Sequence, residues 1–325
     1  MTRHLLLLNS PWLASFFIVS QYLFFLFYFG ALKTTENETR NDARVIKIRF
    51  AMQTLACAIG FASSAMWLMF FNDDGTGGEW KNALETAFAL IATAEKREFT
   101  TDEEENGGLF LVALLLRNVS FGCLVTILVY LGPIADATRR SQGIVGAFQS
   151  LFGHHSVNAE RYGWLVPARD LVLAPFFEEF IFRGAVLAVL LGGVRGVGVQ
   201  RAVLLSPLFF GLAHVNHYFA LKKIYGRGRA LRAVLFQFSY TTAFGVLAGV
   251  VFWRCKAGLA GAWSLHASAN AFGAPDFRPF RTSGGLFTSD VLEKMCYVLG
   301  LVSAFAFVRS SIVAYEQETQ VNVHF

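Results

Sequence analysis

Ala174-Pro175-Phe176-Phe177-Glu178-Glu179-Phe180-Ile181-Phe182-Arg183-Gly184, continued by Ala185-Val186-Leu187-Ala188-Val189-Leu190-Leu191, places three charges inside an otherwise apolar run long enough to enter a bilayer. One charged side chain near the centre of a membrane helix costs about 2.5–3.5 kcal/mol on insertion scales, and such residues mark functional sites that face the protein interior. Read as a helix, the run puts Glu179 and Arg183 four residues apart on one face, where they pair and lower each other's cost of burial. Glu178 points about 100° away around the same helix. It is the carboxylate less committed to the pair. A buried glutamate without a cation has its acidity weakened toward neutrality, which suits a general base acting on water. The bland alternative is a charged cluster that only locks helices together.

The rest of the chain agrees with a membrane setting. Of its 325 residues 54% are hydrophobic, 34 are Phe and only 16% are charged, against about 25% charged in an ordinary soluble domain. The mean hydropathy is +0.46. Windows of roughly 20 apolar residues fall near 11–31, 50–71, 109–132, 170–192, 202–221, 232–253, 257–273 and 290–308. The predicted fold is an all-α, polytopic membrane helix bundle of about eight transmembrane helices, a single integral domain over 1–325 with its catalytic core in 164–275. The apolar N-terminal stretch is too long for a cleaved signal peptide and reads as a retained first span. Arg117 and Asn118 lie in the third window. The short seventh window holds Trp263, Ser264, His266, Ser268 and Asn270 and must be buried among other helices.

Two loops are large. The first, 72–108, carries the run Asp102-Glu103-Glu104-Glu105 and reads as mobile and solvated, after a short amphipathic helix through Trp80, Leu84, Phe88 and Ile91. The second spans 133–168. Basic residues gather at Lys33, Arg40, Arg44, Lys47 and Arg49, at Arg139, Arg140 and Arg161, and at Lys222, Lys223, Arg227, Arg229 and Arg232. They fall on one side, which the positive-inside rule makes cytosolic. The net charge of +5 therefore sets topology and implies no nucleic-acid partner. Asn37-Glu38-Thr39 is a glycosylation sequon on that cytosolic side, where it goes unused. Cys57, Cys123, Cys255 and Cys296 are far apart and read as small apolar fillers.

Two further clusters carry polar chemistry. His214 follows Phe210-Gly211-Leu212-Ala213, whose small residues permit close helix approach. His217, one turn on, reads as an interfacial or supporting histidine. His266 and Asn270 share a helical face and both can donate hydrogen bonds, as an oxyanion site requires. Taken singly, each is equally a polar packing contact between helices. Together, on the predicted topology, they lie within about ten residues of the same side of the membrane.

Glu178-Glu179-x-x-x-Arg183, Phe210-x-x-x-His214 and His266-x-x-x-Asn270, in this order, resemble the type II CAAX prenyl endopeptidases, the Ras-converting enzymes of the glutamate-type intramembrane protease family. Pro175 and the stretch Gln237-Phe238-Ser239-Tyr240-Thr241-Thr242-Ala243-Phe244-Gly245 belong to the likeness, which covers residues 164–275. The resemblance implies an eight-span protein of the endoplasmic reticulum membrane with its site open to the cytosol. It implies an enzyme, a hydrolase needing neither cofactor nor metal, that removes the a-a-X tripeptide from farnesylated or geranylgeranylated CAAX proteins such as small GTPases. By motif, Glu178 and His214 activate water, His266 and Asn270 hold the oxyanion, and Glu179 and Arg183 support the site.

Three other readings use the same residues. Glu and His side chains could bind zinc, although no His-Glu-x-x-His helix is present. Buried charges could form a transporter's ion path, although no paired repeats occur. An idle scaffold of the same family would not be expected to keep all four of Glu178, His214, His266 and Asn270.

Overall fold

A computed structural model describes residues 10–32, 41–71, 107–141, 143–187, 189–190, 198–255, 258–273 and 290–322. Every regular element among them is helical, and a helix or helical run occupies each of the eight windows expected to span. The chain is an all-α, multi-pass membrane protein. Among the described residues three helices are long and apolar enough to cross a bilayer by themselves, at Ala43–Trp67, Val112–Val129 and Arg227–Arg254, and a bent pair over 199–225 supplies a fourth. The helical run from 165 to 187 changes its turn three times, and the Asp290–Asn322 helix ends in a polar tail. Large apolar side chains such as Phe16, Leu116, Phe219 and Phe305 stand exposed. In water that would be a liability; in hydrocarbon it is the ground state.

By internal contacts the chain divides into two units. The first comprises residues 1–98 and 176–259. Its elements are α1 (Pro11–Leu32), α2 (Ala43–Phe71), a π-helical segment (Phe180–Leu187), α3 (Val199–Leu205), α4 (Pro207–Ala213), α5 (His217–Tyr225) and α6 (Arg227–Arg254). The helices α1 and α2 pack on each other and on the π segment, and α4 and α5 pack on α6. Pro207 starts α4 at a position where its missing N–H costs nothing. Gly226, at φ 76°, ends α5 and starts α6, a conformation that glycine adopts without strain. The window predicted as one span over 202–221 is thus broken. His214–Asn216 form a turn, and the two arms meet at 46°.

The second unit comprises residues 99–175 and 260–325. It contains α7 (Gly107–Val129), α8 (Leu131–Arg140), α9 (Ile144–Tyr162), a short α10 (Leu165–Ala168), a second π segment (Arg169–Leu173), α11 (Leu259–Phe272, all but its first residue) and α12 (Asp290–Asn322). A further helical turn, Ala174–Glu179, runs from this unit into the first. Gly122 lets α7 approach α11: a Cβ there would collide with Gly261 O and Ser264 Oγ. Ser264 Oγ donates to Val119 O at 3.0 Å, and Thr126 Oγ1 donates to Leu265 O at 3.1 Å. Tyr130 stacks on Phe272, which Phe152 of α9 also meets.

The interval 133–168, read from sequence as a loop, is mostly the two helices α8 and α9. Asp136 pairs with Arg139 and Arg140 along α8. The amphipathic helix expected through Trp80 and Ile91, the acidic run 102–105, the sequon at Asn37 and the basic residues Lys33 and Arg40 lie outside the described residues.

Candidate active site

Glu178 and Glu179 close a six-residue α-helical turn, Ala174–Glu179, set between two π-helical segments. The expectation of a regular α-helix is corrected here: π turns bond residue i to i+5, and they recur at functional sites. The pairing survives the change. Arg183 Nη1 donates to Glu179 Oε1 at 2.9 Å, with both side chains buried. Arg183 Nη2 donates to Gly245 O at 3.1 Å. Gly245 is the residue that allows this approach, since a Cβ there would fall 2.7 Å from Pro207 Cβ and 3.4 Å from Arg183 Nη2. Glu178 is only partly buried. Its carboxylate acts electrostatically on Arg183, Tyr22 and Tyr240.

Phe210 carries the arrangement to His214. The Arg183 guanidinium lies 5.0 Å from the Phe210 ring centre, and the His214 ring stands edge-on to Phe210 at 4.8 Å. Gly211 brings α4 against Thr242 and Phe238 of α6, as its small size predicted. The break after Ala213 then fixes the imidazole. The His214 backbone N–H turns to Gly211 O at 3.0 Å, instead of Phe210 O, where a continuing α-helix would send it. The side chain takes that carbonyl: His214 Nδ1 lies 2.8 Å from Phe210 O. A carbonyl only accepts, so Nδ1 carries a proton, and Nε2 is the ring nitrogen left to face other groups. The expected supporting residue His217 is exposed, its Nδ1 3.0 Å from Gln237 Oε1.

In the second unit, α11 is a regular α-helix and sets His266 and Asn270 on one face. His266 is buried. Asn270 Nδ2 donates to Asp170 O at 2.9 Å, and Trp263 Nε1 donates to Val172 O at 3.0 Å. Both acceptors belong to the π segment Arg169–Leu173. There Ala174 N–H goes five residues back, to Arg169 O. The next residue is Pro175, which has no N–H to return to Asp170 O. Asn270 supplies the donor. One of the two N–H bonds of its carboxamide is engaged in this way.

The structure therefore links Glu179, Arg183 and His214 through Phe210 in one unit. It sets His266 and Asn270 on a shared face in the other. Sequence reasoning missed Asp170 and Arg169, which pair at 2.7 and 3.0 Å. The signal was there: Asp170 stands five residues before Pro175, where a π turn leaves its carbonyl to a side chain. Among the described residues no three or more His, Cys, Asp or Glu side chains gather in a way that could hold a metal ion.

Residues 161–272 match the family described as Type II CAAX prenyl endopeptidase Rce1-like. The chain carries an Rce1-like domain. Over 114 residues it is 35% identical to CAAX prenyl protease 2 of Homo sapiens, covering 34% of this chain and 32% of that protein. With CAAX prenyl protease 2 of Arabidopsis thaliana it is 34% identical over 109 residues, 33% of this chain and 34% of the relative. A probable CAAX prenyl protease 2 of Schizosaccharomyces pombe is 30% identical over 110 residues, 33% and 39% of the two chains. The matched part thus spans about a third of these relatives' length. No solved structure matches the chain significantly. All six motif residues lie inside the Rce1-like domain, as do Asp170, Pro175 and Phe210.

Proposed function

We propose that the protein is a membrane endopeptidase that removes the a-a-X tripeptide from prenylated CAAX proteins. The observation that carries this reading is the Rce1-like domain, which contains all three polar clusters and is shared with relatives named CAAX prenyl protease 2. The substrates are farnesylated or geranylgeranylated chains, small GTPases among them. The prenyl group partitions into lipid while the peptide tail stays at the cytosolic face. The proposed setting is the endoplasmic reticulum membrane, with the site open to the cytosol.

In the proposed reaction a water oxygen attacks the carbonyl of the prenylated cysteine. Glu178 takes the water proton, and His214 orients the water through Nε2, the nitrogen not committed to Phe210 O. His266 and the second N–H of Asn270 donate to the oxygen that becomes negative. The tetrahedral adduct collapses, the C–N bond breaks, and the proton held on Glu178 passes to the leaving amine. The products are a prenylcysteine carboxylate and a free tripeptide. Arg183 neutralises Glu179, so that one carboxylate of the adjacent pair serves as a fixed support and the other as the base.

The test is incubation of membranes containing the full chain with a farnesylated Cys-a-a-X peptide. The reading expects release of the intact tripeptide, and loss of that release in His214→Ala and His266→Ala. No release by the wild type, or undiminished release by both variants, contradicts it.

A further inference from the structure

Tyr22 of α1 lies well outside the Rce1-like domain, yet it packs against the glutamate-bearing run. Its ring stands edge-on to Phe182 at a centroid distance of 6.0 Å. Phe182 is four residues after Glu178 and so lies close to its face of the run. From α2, Cys57 Sγ reaches Phe177 O at 3.8 Å, and the Phe50 ring meets Phe177. Gln53 and Cys57, four residues apart on α2, are both buried. The first two helices therefore wall the segment Phe177–Phe182.

The polar content of that wall is unusual. Tyr22 is only 2% exposed, and among the described residues no protein group closes a hydrogen bond of ordinary geometry with its hydroxyl. Gln53 faces the hydroxyl without completing such a bond, and the charge of Glu178 is felt there. A buried O–H is rarely left unmade, because its desolvation is not repaid. The hydroxyl needs a partner, and Glu178, on the run that the Tyr22 ring packs against, is a strong acceptor for charge-assisted hydrogen bonding.

Resting on the peptidase reading above, we propose that Tyr22 is a positioning residue for that reaction. Its hydroxyl, oriented by the Gln53 carboxamide that faces it, donates to the Glu178 carboxylate through one water and holds it in the orientation that receives the proton. The catalytic run would then depend on a helix that no motif in residues 161–272 reveals.

Tyr22→Phe removes only the oxygen and keeps the ring against Phe182. With a farnesylated Cys-a-a-X peptide and the full chain in membranes, kcat is expected to fall about tenfold. KM and the thermal unfolding midpoint should hold, a split that a merely structural role does not produce. Gln53→Met, nearly the same shape without the carboxamide, is the second variant and should lower kcat about threefold with KM unchanged. Tyr22→Phe at wild-type kcat overturns the inference. Should Tyr22→Phe fail to fold, Gln53→Met decides, and its kcat within about twofold of wild type overturns it. The wild-type control separates the two levels. A cleaving wild type with an unaffected Tyr22→Phe removes this inference alone, whereas a wild type that releases no tripeptide removes the peptidase reading and this inference with it.

Discussion

The helical run that carries Glu178 and Glu179 and the helix that carries His266 and Asn270 hold their polar groups differently. The first changes from π to α and back to π around its charges. The second is a plain α-helix over its fourteen residues, Leu259–Phe272. Irregularity in the first creates carbonyls that its own backbone does not use in the regular way, and side chains take them. Asn270 takes Asp170 O, and Trp263 takes Val172 O. The break at His214 follows the same logic within one residue, its Nδ1 taking Phe210 O. The lesson is that these groups are aimed by main-chain acceptors. A carbonyl cannot rotate as a side chain can, so it fixes an imidazole or carboxamide firmly.

Three substitutions probe this contrast. Arg183→Met attacks the irregular run at its ion pair. It leaves the fully buried Glu179 without its cation, and a loss of about 3–5 kcal/mol in stability is expected, read as a lowered unfolding midpoint in detergent. An unchanged midpoint would mean that the pair does not support the run. Asn270→Ala attacks the regular helix. The expected outcome is a fall of about 10²–10³ in kcat, from loss of an oxyanion donor, assayed by tripeptide release. A fall in stability with kcat intact would reduce Asn270 to a prop for the Asp170 carbonyl. Trp263→Phe is the mildest. It removes the donor to Val172 O together with part of the ring, and should cost about 1 kcal/mol of stability, with the cleavage rate little changed.

Much of this was legible in the residues. The apolar windows located helices, because hydrocarbon demands about 20 apolar residues per crossing. The i,i+4 spacing of Glu179 and Arg183 anticipated their ion pair, since residues four apart stay neighbours even as the turn widens. Gly211 anticipated the close approach of α4 to α6. The π segments were not legible, because they arise from where neighbouring helices place donors. Pro175 alone hinted at one of them. The Nδ1 proton of His214 was hidden for a related reason: it depends on a chain break that apolar composition does not mark. The helices α8 and α9 were overlooked for being too polar to count as spans. Yet Ile144, Val145, Phe148, Leu151 and Phe152 recur at helical spacing in the sequence.

The central claim is that two adjacent carboxylates divide their labour, Glu178 as base and Glu179 as the partner of Arg183. It is tested most directly by tripeptide release from a farnesylated Cys-a-a-X peptide by Glu178→Gln and Glu179→Gln, compared at equal amounts of folded protein. The account predicts background release from Glu178→Gln and measurable release from Glu179→Gln, whose carboxamide oxygen can still accept from Arg183. Wild-type release from Glu178→Gln, with Glu179→Gln inactive, would contradict it.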